Sequence, residues 1–298
     1  MINAPAKINL SLPIIGRRQD GYHLMRSIVC FADLCDQIQI TPLPAHADQD
    51  RLIIEGPMAN ELAALAPQEN IMVKALNAFR HLTGHARFFQ INLAKNIPVA
   101  AGIGGGSTDA AAILLAAAEQ SGHPLSNDVL ADLGLTLGAD VPVCLKAMTK
   151  TCWEMRGIGE ELSPLNCPDA NQLGLILINP GVRVSTASIF AQLTEDDFAN
   201  DQPPLTQRLS LAEFIAALTD GNSMTRAAAK EAPIIAHYLN MLAGLNNQHG
   251  YLHHGMSGSG ATCFALFATP EDSNTAAEAL NDVHWKWSGG IYRGNRPN

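Results

Sequence analysis

The sequence is poor in charge, and what charge it has is scattered. Asp, Glu, Lys and Arg make up 16% of the 298 residues, below the usual level of about a quarter, which argues against a charge-extended disordered chain. Nineteen basic residues face twenty-eight acidic ones, a net charge of −9, and no basic run exceeds the pair Arg17-Arg18. A nucleic-acid or anionic-membrane binder needs a basic face, so neither partner is expected. Long apolar runs are missing too. The longest with helical character, 110–118, has nine residues, about half of a bilayer span. The first ten residues carry one Lys and alternate polar with apolar, and no apolar h-region stands ahead of a small-x-small cleavage site before Arg17, so a secretory leader is not expected. These absences predict a soluble, cytoplasmic protein.

Cysteine motifs are also lacking. The six cysteines, at 30, 35, 144, 152, 167 and 263, form no Cys-x-x-Cys pair and no Cys/His spacing of a zinc site. They are expected to be reduced, mostly buried thiols, and no metal-ligand set is legible. No Gly-Lys dipeptide occurs, which excludes a Walker phosphate loop. A dinucleotide fingerprint fails because Ser107 stands where its last glycine belongs.

Hydrophobic residues, at 47%, fall in the globular range, and the length suits about two domains. Ala6, Ile8, Leu10 and Leu12 alternate with Lys7, Asn9 and Ser11. That period predicts a half-buried strand with Lys7 and Asn9 pointing the same way. Further strands are expected at 37–41, 87–93, 143–146, 173–178 and 262–267. Helical periodicity marks 71–82, 108–120, 127–137, 211–218, 233–242 and 270–280. The interleaving predicts an α+β or α/β fold. A polar stretch with Gly and Pro over 157–171, and a looser one over 194–204, place a domain boundary near 155–170, dividing the chain into 1–160 and 161–298.

Four motifs carry the chemistry. The first is Pro98-Val99-Ala100-Ala101-Gly102-Ile103-Gly104-Gly105-Gly106-Ser107-Thr108, a glycine loop feeding into a helix. Glycines let the backbone approach a ligand closely, and free N–H groups at a helix start attract phosphate. Ser107 or Thr108 either caps the helix or turns a hydroxyl toward a phosphate or its metal. The second is Gly138-Ala139-Asp140-Val141-Pro142, whose lone carboxylate is either a turn residue or a proton acceptor. The third, Tyr22-His23 after Asp20-Gly21, offers a ring to stack on and a two-sided hydrogen-bonding group. The fourth, Gly255-Met256-Ser257-Gly258-Ser259-Gly260-Ala261, either presents N–H groups to an anion or makes a tight turn under close backbone packing.

The order of these elements, behind an N-terminal Pro5-Ala6-Lys7-Ile8-Asn9, resembles the GHMP kinases, the family of galactokinase, homoserine kinase and mevalonate kinase. The Tyr22-His23 element and the segment 135–142 are similar to the branch that acts on a cytidine diphosphate-linked methylerythritol. The resemblance implies a ribosomal-protein-S5-like N-terminal α/β domain, a ferredoxin-like C-terminal domain, and transfer of the ATP γ-phosphoryl group to the 2-hydroxyl of that small-molecule substrate. It implies Asp140 as catalytic base with Lys7 as its partner, and a triphosphate held by residues 98–108. Tyr22 and His23 would take the cytosine, Phe190 would close its other side, and Asn9 would contact the diphosphate or fix the Lys7–Asp140 pair. Mg2+ is expected with the ATP, with Ser107 or Thr108 offering an oxygen. Asn222-Ser223-Met224-Thr225 departs from the family's Asn-Asp-Leu-Glu, with Asn222 or Ser223 expected to cap the helix there. The rival readings are a GHMP kinase of the homoserine or mevalonate type and a non-catalytic nucleotide-binding relative.

Overall fold

The structure is a computed structural model and describes residues 1–122, 125–146 and 152–294. The chain builds two sheets in succession. The first holds β1 (Ile2–Ser11), β2 (Ile14–Arg17), β3 (His23–Pro42), β4 (Arg51–Glu55), β5 (Phe89–Ala94), β6 (Cys152–Gly157) and β7 (Glu161–Pro164). The second holds β8 (Gly174–Asn179), β9 (Tyr251–Met256), β10 (Cys263–Phe267) and β11 (Trp285–Gly290). Helices α1 (Ile71–Thr83), α2 (Gly105–Gln120), α3 (Asn127–Leu137) and α4 (Val141–Lys146) belong to the first half. Helices α5 (Thr186–Ala191), α6 (Leu211–Ala216), α7 (Thr225–Glu231), α8 (Ile234–Ala243) and α9 (Pro270–Ala277) belong to the second. The sheet changes between Pro164 and Gly174, so β7 lies past residue 160 yet pairs within the first sheet.

The first sheet runs β4-β5-β3-β6-β7, with β1 and β2 also paired to β3. Twenty residues long, β3 has partners along its whole length. The second sheet runs β11-β8-β10-β9, antiparallel throughout. Alternation along β8 shows how the layers stack. Leu175 and Leu177 pack toward the first sheet with Ile8, Cys30 and Phe264, whereas Ile176 and Ile178 pack on Ala228, Ile235 and Ala276 of α7, α8 and α9. The far face of the first sheet, including Val29 and Phe31, is covered by Phe79 of α1 and by Ile113 and Leu114 of α2. The result is four layers, helix–sheet–sheet–helix.

Several elements depart from sequence expectation for physical reasons. Residues 4–11 of β1 are buried on both faces rather than one, because the glycine loop and Ser257 cover its polar side. Residues 143–146 are not a strand but part of α4, which follows Asp140. Pro142 suits a helix start, where no backbone donor is needed. The first half of β3 is an apolar run without punctuation, a pattern that period alone cannot separate from a buried helix. Among the described residues no cysteine is paired and no helix is long and apolar enough to cross a membrane. Burial pushes the thiols of Cys35 and Cys263 up to about 12, so both remain protonated and weakly nucleophilic.

The two halves meet backbone to backbone. Gly102, at φ +76°, is so close to the fourth motif that a Cβ there would stand 2.3 Å from the Gly260 carbonyl oxygen. The Ser257 hydroxyl donates to the Gly102 carbonyl at 3.1 Å, and the Thr262 hydroxyl donates to the Ala101 carbonyl at 2.6 Å. The fourth motif is therefore a tight turn buttressing the first. Below the loop lies a buried cluster in which Lys95 Nζ donates to Asp36 Oδ2 at 2.5 Å and to Asp109 Oδ2 at 2.7 Å. Burial, opposed by Lys95 and reinforced by Asp36, pushes the Asp109 carboxyl up to about 8.

Two expectations follow from this packing. Replacing Gly102 with Ala strains the backbone and forces the two loops apart. A loss of about 1–3 kcal/mol in stability is expected, read from the urea midpoint. Because burial raises its pKa, the Asp109 carboxyl holds a proton to higher pH in the native chain than in the unfolded chain, which releases it near pH ~4. This carboxyl's contribution to stability is thus complete below that pH and declines as pH rises to about 8. Asp109→Asn cannot ionise, so its Tm relative to the unsubstituted protein is expected to rise between pH 5 and pH 8; a constant difference would contradict the assignment.

Candidate active site

Lys7 leaves β1 on the side that the glycine loop covers. Its backbone N–H donates to the Ile103 carbonyl at 2.9 Å, and a Cβ built on Gly104 would lie 2.9 Å from Lys7 Cβ. The lysine stem therefore runs along the loop, and only glycine at 104 lets it do so. At its end the ammonium reaches Asp140 Oδ1 at 2.6 Å; the lysine side chain is 5% exposed and the aspartate 38%. The Asp140 carbonyl accepts the Cys144 N–H of α4, which holds the residue at the head of that helix. A buried ammonium thus presents a carboxylate to an open surface.

The loop ends in α2, which begins three residues earlier than its apolar period indicates. Gly104, at φ +65°, is its N-cap, and no side chain caps it. Ser107 and Thr108 therefore sit inside the first turn, and neither has the capping role open to it in the sequence. Thr108 is buried, while Ser107 is half-buried and Gly106 exposed. An uncapped glycine-rich helix start leaves its first N–H groups and the positive end of the helix dipole free for an anion.

The outer limb of the loop, Pro98, Val99, Ala100 and Ala101, lines a cavity of about 420 Å³. Glu61, Arg183, His284 and Trp285 complete much of its wall, and Glu61 Oε2 accepts the Val99 N–H at 2.8 Å. None of these four residues belongs to a sequence motif. Arg183, His284 and Trp285 come from the second half of the chain, so only the fold brings them to the loop.

Asn9 lies beside Lys7 on the covered face of β1. Its Nδ2 donates to Ser27 Oγ at 2.8 Å and its backbone N–H donates to Ser257 Oγ at 3.1 Å, while its buried Oδ1 has no partner among the described residues. At the second half's edge the His23 ring stacks on Phe190, with centroids 5.1 Å apart and planes 24° apart, and meets Phe198 edge-on at 6.0 Å. Burial and the charge of Arg17 lower the His23 pKa, which keeps the ring neutral at pH 7. Tyr22, next to it, is 60% exposed. Phe190 rides on α5, where Glu231 accepts from the Ser185 N–H and the Ser188 hydroxyl.

The departure at 222–225 proves to be a tie as well as a helix entry. Asn222 Nδ2 donates to the Met256 and Gly258 carbonyls, both at 2.8 Å, and the Ser223 hydroxyl donates to the Asp197 carbonyl at 2.7 Å. Helix α7 starts after Met224 without a side-chain cap from that residue, while Asn222 Oδ1 accepts the Met224 N–H at 2.9 Å, so the expected capping is met by Asn222 one step ahead of the helix and not by Ser223. They join the entry of α7 to the turn that buttresses the glycine loop.

Comparison with known proteins gives the family. The family model "GHMP kinases N terminal domain" matches residues 70–147, and "GHMP kinases C terminal" matches residues 205–284. A 4-diphosphocytidyl-2-C-methyl-D-erythritol kinase of Ruegeria pomeroyi is 42% identical over 94% of this chain and 92% of its own. One of Mesorhizobium japonicum is 40% identical over 96% and 92%. A crystal structure of 4-(cytidine 5'-diphospho)-2C-methyl-D-erythritol kinase superposes with a TM-score of 0.78 at 31% identity, covering 98% of this chain and 99% of that one. The Methanococcus jannaschii mevalonate kinase, at 17% identity and a TM-score of 0.66 over 98% of each chain, shares the fold. The chain belongs to the GHMP kinases, ATP-dependent phosphotransferases, and within them to the branch of the 4-diphosphocytidyl-2-C-methyl-D-erythritol kinases.

Proposed function

We propose that this protein transfers the γ-phosphoryl group of ATP to the 2-hydroxyl of 4-diphosphocytidyl-2-C-methyl-D-erythritol, the substrate in its relatives' names, as a step of the non-mevalonate isoprenoid route. The observation that carries the reading is the Lys7–Asp140 pair, 2.6 Å apart, against an uncapped helix start. Phosphoryl transfer asks the protein for an aligned hydroxyl, compensation of phosphate charge and a place for the proton. Asp140 accepts the proton of the attacking hydroxyl. Lys7 holds that carboxylate in place and offsets the negative charge that gathers on the acceptor oxygen. The N–H groups at the start of α2, with Ser107, cradle the β- and γ-phosphates, and the cavity beside Val99 and Arg183 takes the nucleoside.

Tyr22, His23 and Phe190 form an aromatic site suited to the cytosine, and Asn9, buried beside Lys7 and tied to Ser27 and Ser257, suits the role of fixing the Lys7–Asp140 pair. A homoserine- or mevalonate-type kinase would leave this aromatic site idle. The described residues contain no group of three or more His, Cys, Asp and Glu arranged for a metal. That donor set fits an Mg2+ carried in by the phosphates, with the half-buried Ser107 offering one oxygen and Thr108 buried away. When bound, the ion would neutralise charge between the β- and γ-phosphates. The unpaired thiols fit a reducing compartment, the cytoplasm.

The reading is tested by incubating the protein with ATP and the cytidylated alcohol and following the reaction by phosphorus NMR. A new phosphomonoester signal with stoichiometric ADP is expected, and turnover of mevalonate or homoserine instead would redirect it. Asp140→Asn and Lys7→Ala are each expected to keep the far-ultraviolet circular-dichroism spectrum and lose turnover by on the order of 10²–10³. Near-normal turnover of Asp140→Asn would remove the base assignment. Phe190→Ala loses a stacking face worth about 1–3 kcal/mol, so KM for the cytidylated substrate is expected to rise roughly 5- to 150-fold with KM for ATP unchanged.

A further inference from the structure

The glycine loop leaves the first sheet at one point and enters α2 at another, and both feet stand on the same buried cluster. At the first foot, Asp36 Oδ1 accepts the N–H groups of Asn96 at 2.6 Å and Ile97 at 2.9 Å. At the second, Asp109 lies in α2 one residue past Thr108. Lys95 spans the two through its hydrogen bonds to Asp36 and Asp109, and all three side chains are at most 4% exposed. The lysine backbone is fixed as well, its N–H donating to the Glu55 carbonyl at 2.7 Å and its carbonyl accepting the Met58 N–H at 3.0 Å. The cluster also presses directly on the loop's end, since a Cβ on Gly105 would come within 3.4 Å of Lys95 Nζ and 3.0 Å of Ile97 Cγ2.

Burying three ionisable groups costs more than an apolar contact of the same size would. Structural economy does not account for the arrangement, because Asp109 caps nothing and its Oδ1 is buried with no partner among the described residues. Fixing the spacing of the two feet does account for it. The spread of the loop decides whether the N–H groups at the start of α2 meet a triphosphate, and displacements of about an ångström at such sites are costly.

We propose that Lys95, acting through Asp36 and Asp109, is a positioning residue that staples the two feet of the phosphate loop and so sets the affinity for ATP. The proposal rests on the kinase reading of the loop. It predicts an effect confined to the nucleotide, since the cytidylated substrate is held by the other aromatic and β1 residues.

The test compares Asp109→Ala and Asp109→Asn. For each, binding of a non-hydrolysable ATP analogue is measured by calorimetry, alongside KM for ATP and for the cytidylated alcohol and the Tm. The Ala variant is expected to bind the analogue at least about tenfold more weakly and to raise KM for ATP in proportion, with KM for the alcohol unchanged. The Asn variant keeps an oxygen for Lys95 and is expected to recover most of the affinity. If the cavity left by Ala unfolds the chain, Asp109→Leu fills the space without supplying an oxygen and takes its place. A lowered Tm with wild-type analogue affinity, equal rises in both KM values, or an Asn variant as weak as Ala would overturn the proposal. Because nucleotide binding is read apart from turnover, a protein that binds ATP but phosphorylates no cytidylated alcohol contradicts the kinase reading and leaves this test intact.

Discussion

Everything at the site turns on one lysine being able to lie flat against a loop. Lys7 reaches Asp140 only because its stem runs past Gly104, where any side chain would collide with it, and because its own N–H fastens the strand to Ile103. Strand β1, the glycine loop and the head of α4 are thereby joined at one point, although their residues are far apart in the chain. The ammonium is buried and the carboxylate is partly exposed. That arrangement limits the lysine's motion while leaving the carboxylate partly exposed, as the proposed proton acceptor requires.

The same economy recurs in the second half. The Ser257–Gly260 turn braces Gly102 from behind, and Asn222 braces the turn in its place. A loop rich in glycine would otherwise sample many conformations, and each must be excluded for its N–H groups to stay aligned, as the proposed binding of a triphosphate requires. Contacts from both halves of the chain and a buried charged cluster below do this. The conformational freedom that lets the backbone approach phosphate is removed by its neighbours rather than by its own side chains.

Much of this was legible in the sequence where local chemistry decides structure. The alternation at 6–12 put Lys7 and Asn9 on one face, and the glycine loop before an Ala-rich helix marked the helix start that no side chain caps. Helix 127–137 has those bounds in the structure, with Ser126 accepting the Val129 N–H at its cap. Local chemistry misled where burial decides instead. The run at 143–146 looks like a strand because short apolar stretches carry no period of their own, and β1 looks half-exposed because nothing local shows that a loop will cover it. The cavity residues Arg183, His284 and Trp285 left no sequence signal, since their shared position exists only after two sheets have stacked.

The most direct measurement is a crystal structure of the protein with a non-hydrolysable ATP analogue and the cytidylated alcohol bound together. The account predicts the acceptor hydroxyl within hydrogen-bond reach of an Asp140 carboxylate oxygen, about 2.6–3.2 Å, in line with a γ-phosphate seated at the start of α2. A γ-phosphate seated elsewhere, or an acceptor hydroxyl held away from both Asp140 and Lys7, would contradict it.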